Sequence, residues 1–391
     1  MGKLRLGLIG CGSVVREIYE RLYYHSAYAE ILSIEAVAEP GERTRSDFCD
    51  RHGIPADRRF ADYPEMLDAV ELDAVAVNTP DSLHEAPAVA ALERGLDVLV
   101  PKPLADTVEA GHRMIEAAKA NSRLLGVDFH KRDDPRLLEA AARYRAGEYG
   151  EFQHADWHMI DRLHVVDPNH EPRFFASEDF AEHNTPISFL TVHMADSLMQ
   201  IVPLRPVSVR ATGWSRKLPS LSPIPVNGYD LCETEVRFEN DGVARFVTGW
   251  HLPDTAPMVS NERTVTTCTD GRFELLHTCG YNDLTHAAAR DHHVLFQHRD
   301  RSGRYAGFGM SVPGEWLRRF RDRRDGTLDA DAKSHLDPFT TGFWSTAIVE
   351  AAHESLRRGE TTDRGTSFGV CVDVPELLKD RLGGAGEAYF G

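Results

Sequence analysis

At 391 residues the chain exceeds one compact core of ordinary size, so two domains are expected, each long enough to be well buried. Hydrophobic residues make up 42% and charged residues 27%, near the globular average, and no run approaches the roughly 20 apolar residues of a membrane helix. Membrane insertion is therefore not expected, and the net charge of -17 argues against a nucleic-acid partner.

The opening apolar run is short and enters a glycine turn, so it reads as a strand rather than a secretion signal, and a cytoplasmic protein is expected. Short apolar runs at 4–9, 34–38, 74–78, 98–100 and 124–127 then alternate with helix-period segments at 14–24, 43–51, 83–93 and 108–120. The alternation predicts an α/β domain over 1–128 with a parallel doubly wound sheet, the arrangement that Rossmann dinucleotide-binding domains share. Past Asp128 a single helical segment, 136–145, precedes strand-like runs at 152–160, 207–212, 233–238, 244–250, 264–267 and 272–276. These predict an α+β domain over 129–391 with a large, mostly antiparallel sheet, and the resemblance drawn below implies that this domain serves substrate binding and oligomerisation. A sheet with helices on one side leaves a face to cover, which predicts a homodimer or homotetramer. Loops at 216–227 and 254–261 are rich in proline and serine, and one of them suits a lid. The basic run Arg318 to Arg324 reads as a solvated helix face or a subunit contact. Cys11, Cys49, Cys232, Cys268, Cys279 and Cys371 are scattered, which favours reduced thiols over disulfides or a zinc cage.

The first strand runs into Gly10-Cys11-Gly12-Ser13-Val14-Val15. Here Gly10 permits a tight turn and Gly12 lets the backbone approach a pyrophosphate at the helix start formed by Ser13 and Val14. Val15 stands where a third glycine completes the usual fingerprint, which predicts slightly wider spacing of helix and strand. Glu39, at the end of the second strand, is placed to accept hydrogen bonds from the ribose hydroxyls and to repel a 2′-phosphate. Arg43, only a few residues on, would soften this preference, but Glu39 favours NAD over NADP as cofactor.

Residues 75–107 carry a resemblance. Asn78-Thr79-Pro80 with His84 matches a T-P-x-x-x-H turn, Pro101-Lys102-Pro103 stands for Glu-Lys-Pro, and Arg132 lies in an R-x-D-P-like turn. In this the chain resembles the glucose-fructose oxidoreductase / inositol dehydrogenase family (Gfo/Idh/MocA). The likeness is dense to residue 135, sparse in the middle, and returns near 342–359. It implies that Asn78, Thr79, Pro80, His84 and Lys102 border the cofactor, and that the matching lysine contacts the nicotinamide ribose and the reacting hydroxyl. Lys102 is one of only seven lysines among 44 basic residues. Its ammonium, just past a strand's carboxyl end, suits an alkoxide forming as a proton leaves.

The family also implies an aspartate followed four residues later by a histidine on a helix. Here His193 and Asp196 match, but Phe189 replaces the aspartate, just as Pro101 replaces the glutamate beside the lysine. His193 is the candidate general base. His183, Asn184 and His130 are open as substitutes for the missing acid, and His130, Arg132, His158, Asn184, Phe189 and His193 are candidate substrate contacts. On a strand, His154, Asp156 and His158 share one face, suited to sugar hydroxyls or a subunit interface rather than a metal. The histidines His286, His292, His293 and His298 lack ligand spacing, so no metal is expected.

The resemblance implies an NAD-dependent oxidoreductase that interconverts a secondary alcohol and a ketone on a small polyhydroxylated molecule: a sugar, glycoside or cyclitol. Two alternatives stay open. One is a redox-neutral enzyme that uses transient oxidation by bound NAD for elimination, hydrolysis or epimerisation; the other is a non-catalytic NAD-sensing regulator.

Overall fold

The computed structural model describes residues 2–171, 173–175, 179–276, 281–284, 289–328 and 335–390. Cys279 and His286 lie outside them. The chain divides into two compact units, Met1–Asp133 with Phe296–Phe343, and Asp134–Leu295 with Trp344–Gly391. The first unit thus runs past residue 128 to Asp133 and also takes in Phe296–Phe343 from the region 129–391.

In the first unit six parallel strands lie in the order β3-β2-β1-β4-β5-β6. They are β1 (Leu4–Ile9), β2 (Leu32–Ala38), β3 (Arg59–Phe60), β4 (Ala74–Val77), β5 (Asp97–Pro101) and β6 (Leu125–Asp128). All four residues of β4 are buried, as are the apolar residues of β1, because helices cover both faces of such a sheet. The crossovers use α1 (Glu20–His25), α2 (Glu42–His52), α3 (Tyr63–Ala69), α4 (Glu85–Glu93) and α5 (Val108–Ala120). The edge strand β3 is only two residues, an arginine and a phenylalanine, so no apolar run announces it.

In the second unit α6 (Pro135–Arg145) precedes the first strand of a nine-stranded sheet. Its main members are β7 (Phe152–Arg162), β8 (Pro206–Trp214), β9 (Leu231–Phe238), β10 (Val243–Leu252), β11 (Ser260–Cys268) and β12 (Arg272–Leu276). β10 runs parallel to β7, while the β8–β9, β9–β10, β7–β11 and β11–β12 pairs are antiparallel, as expected of a mostly antiparallel sheet. Period-two alternation gives the sheet two unlike faces. Ala155, Trp157, Val236, Ala244 and Phe246 are buried on one, where the Trp157 and Phe246 rings meet edge to face at 6.5 Å. On the other, Arg245 bridges Asp156 at 2.8 Å and Glu233 at 3.4 Å, and His158 Nε2 lies 3.1 Å from Asp156. The helices of this unit include α7 (Phe180–His183) and α8 (Val192–Ile201).

The returning segment of the first unit carries α9 (Phe308–Arg324). Its apolar residues explain the return: Trp316, Leu317 and Phe320 join Leu4, Leu6, Leu8 and Leu124 in one buried cluster. The basic run at its end is therefore not simply a solvated face. Arg318 pairs with Glu315 and Asp322, but Arg323 reaches Asp97 at 3.5 Å and Arg324 reaches Asp73 at 3.0 Å. The chain continues through α10 (Phe343–Arg358) and α11 (Val374–Leu382). No helix among the described residues is long and apolar enough to cross a membrane.

Candidate active site

Because β1, β4, β5 and β6 are parallel, their carboxyl ends share one edge, and the order reverses between β1 and β4. Ligands bind at such an edge. The glycine turn follows β1. Gly10 has φ +87°, and a Cβ there would stand 2.9 Å from the Asn78 carbonyl oxygen, so the turn requires glycine twice over. A Cβ on Gly12 would meet nothing within 4 Å, leaving open space where a phosphate must approach. Asn78, buried at the end of β4, donates from Nδ2 to the Gly10 carbonyl at 3.3 Å and holds the turn in place. Beyond Ser13 and Val14 the helix begins as a π-turn over Val15–Tyr19, with the Val15 side chain in the core. These features fit a dinucleotide's pyrophosphate.

Glu39 faces this turn. Its carboxylate accepts from the Cys11 backbone N–H at 3.1 Å and from the Gly41 N–H at 2.9 Å. Arg43, by contrast, is almost fully exposed and its charge lies 3.8 Å from Asp47. The guanidinium that does reach the strand end is Arg45, which donates to the Glu39 carbonyl. Spacing alone did not favour it over Arg43, two residues earlier.

His84 is wholly buried. Its Nε2 lies 3.1 Å from the Thr79 carbonyl oxygen and its Nδ1 3.1 Å from that of Pro103. The imidazole thus ties the turn carrying Thr79 and Pro80 to the turn carrying Lys102. Lys102 is half-buried just past β5, where Pro101 pairs in register with Asp128 at the end of β6. Tyr19 donates to Asp128 at 2.7 Å. Burial pushes the Asp128 carboxyl up to about 7, against the Tyr19 hydrogen bond and the positive charges of Arg132 and Lys102. Asp128 and Tyr19 were not among the residues the sequence singled out. Asp128 falls at a strand end, which was the available signal.

Two other candidates of this unit are engaged within it. The His130 ring stacks on Phe308 at 6.3 Å and meets Phe296 edge-on at 5.3 Å. Arg132 donates to the Thr340 and Phe339 carbonyls at 2.5 and 2.9 Å, holding the returning segment.

In the second unit α8 places His193 and Asp196 one turn apart, both buried. Phe189, in the π-turn before α8, lies within an aromatic cluster, 5.7 Å from Phe175, 5.6 Å from Phe180 and 5.6 Å from Trp250. Asn184 donates to the Phe180 carbonyl at 3.0 Å, and exposed His183 lies 3.2 Å from Asp179. A histidine not foreseen, His353, stands 2.8 Å from the Thr185 hydroxyl, and burial pushes it down to about 4.

The parallel sheet and the glycine turn give the first unit a Rossmann-type fold. Residues 4–129 match the model of the GFO_IDH_MocA family, described as an oxidoreductase family with an NAD-binding Rossmann fold. Among similar proteins is inositol 2-dehydrogenase 4 of Saccharopolyspora erythraea, 31% identical over 150 residues, which are 38% of this chain and 43% of that protein. Another is the inositol 2-dehydrogenase of Paracoccus denitrificans, 32% identical over 133 residues, or 34% of this chain and 38% of that one. The chain thus spans less than half the length of these curated relatives. The fold likeness extends further. A scyllo-inositol dehydrogenase from Lactobacillus casei, solved with NAD(H) and scyllo-inositol, matches 95% of this chain and 99% of its own with a TM-score of 0.68 at 16% identity. An oxidoreductase from Agrobacterium radiobacter, solved with NAD+, L-tartaric acid and magnesium, matches 96% and 99% with a TM-score of 0.68 at 17% identity.

Proposed function

We propose that the chain is an NAD-dependent oxidoreductase interconverting a secondary alcohol and a ketone on a sugar, glycoside or cyclitol. The observation that carries this reading is the position of Lys102, past the carboxyl end of β5 on the same edge as the glycine turn. His84 ties its turn to that of Thr79. A bound nicotinamide supplies the hydride acceptor. Lys102 holds the developing alkoxide by charge, and His193 takes the hydroxyl proton as general base. Asp128, buried beside Pro101, supplies a carboxyl near Lys102 where the family motif has a glutamate.

Glu39 supports NAD over NADP, since its carboxylate already draws two backbone N–H groups of the cofactor turns and would repel a third phosphate. The substrate class rests on the inositol dehydrogenases among the relatives. The half-exposed row of Glu233, Arg245, Asp156 and His158 supports a homo-oligomer that covers this face of the sheet. The test is to offer NAD with a panel of inositols, aldoses and glycosides and to follow NADH. Formation with at least one polyol is expected, and none with any of them contradicts the reading.

A further inference from the structure

The first unit has a cavity of about 780 Å³ that no residue assigned to the cofactor lines. It is formed by the outer side of α1, the segment that follows it, and the turn between β15 (His298–Arg299) and β16 (Tyr305–Ala306). Its walls carry Lys3, Arg16, Arg21, Arg51, Arg299 and Arg304 against two carboxylates, Glu20 and Glu30. In a chain of net charge -17, this is a local reversal of sign.

The six cations differ in how they are held. Arg16 pairs with Glu17 at 3.0 Å, Arg51 with Glu20 at 2.8 Å and Arg304 with Glu30 at 2.7 Å. Arg21 instead donates to the Glu17 carbonyl and the Gln297 side-chain oxygen, each at 2.7 Å, and Arg299 to the Gly303 carbonyl and the Tyr305 hydroxyl. Both guanidinium groups also stand against the Tyr305 ring, at 5.4 and 4.7 Å from its centre. Neutral groups thus fix two like charges around one ring, no farther apart than the sum of those distances. Like charges fixed this close repel one another, and an anion that takes hydrogen bonds from both relieves the repulsion. The volume exceeds what one phosphate fills and falls within the roughly 300–1,000 Å³ of small-molecule sites.

We propose that this cavity binds a small molecule carrying two or more phosphate groups, at a site separate from the cofactor's pyrophosphate. Arg21 and Arg299 grip one phosphate, and the cations around them receive the rest.

The test is calorimetric titration of the full chain with inorganic pyrophosphate at low salt, with one equivalent of NAD present so that the glycine turn is occupied and the cavity left open. Saturable binding is expected. Arg21→Gln and Arg299→Glu should each weaken it by about tenfold or more while NAD affinity stays unchanged. Arg299 lies on an exposed turn, so its variant keeps the test alive should Arg21→Gln fail to fold. Absence of binding, or equal binding by the Arg299→Glu protein, overturns the site. Inorganic monophosphate binding as tightly as pyrophosphate overturns the multi-phosphate assignment.

Discussion

Tyr19 donates a 2.7 Å hydrogen bond to Asp128, linking the π-turn after β1 to the carboxyl end of β6 within the first unit. The other carboxyl oxygen, Oδ1, finds no hydrogen-bond partner among the described residues. Burial therefore outweighs the single bond, and the carboxyl holds its proton up to about pH 7.

A definite sign follows. The folded pKa lies above the unfolded value, so between about pH 4 and pH 7 the native state binds a proton that the unfolded state has lost. The stability from this group is fully present below that window and is lost as pH rises through it. Asp128→Asn should remove the slope and raise stability above pH 7, by on the order of 4 kcal/mol. Chemical denaturation across pH measures it, and an unchanged slope in the variant refutes the assignment.

Gly10 and Gly12 should separate stability from binding. Gly10→Ala forces a side chain into a left-handed backbone and against the Asn78 carbonyl, and should cost about 1–3 kcal/mol of stability. Gly12→Ala meets no protein atom, so its melting temperature should hold while NAD affinity falls. Thermal melts with and without NAD distinguish the two, and equal loss of stability in both variants contradicts the argument.

Glu39→Ala should narrow the preference for NAD over NADP by about tenfold or more, since it removes a carboxylate facing the cofactor turn. Parallel titrations of both cofactors measure the ratio. NADP binding as tightly as NAD in the unaltered protein would show that Glu39 does not select.

Phe189→Asp does not simply restore a missing acid. The new carboxylate would enter a cluster of Phe175, Phe180 and Trp250 rings, and should destabilise the protein by roughly 2–4 kcal/mol. A melting temperature equal to that of the unaltered protein would mean the cluster opens without cost.

What the sequence made legible was local. The glycine turn, the acid at the end of β2 and the lysine after β5 are each fixed by a strand end and a few neighbours. β11 was seen at 264–267, where buried and half-buried residues alternate, but not over its first four residues, none of which is buried. The return of α9 was hidden because Trp316, Leu317 and Phe320 show an apolar stripe without saying which sheet it covers. Tyr19 meets Asp128, and Thr185 meets His353, only through the folded chain. His84 was read as a cofactor contact, yet its ring also meets the Pro103 carbonyl, in a turn whose approach no spacing encodes.

The central claim is that Lys102 carries alkoxide stabilisation and His193 proton removal, and single-turnover NADH formation on the best polyol tests both. Lys102→Ala should slow it by about 100- to 1,000-fold at every pH, because a fixed charge is lost. His193→Ala should slow it comparably near neutrality but recover in part at high pH or with added imidazole. Wild-type rates in both variants would contradict the account.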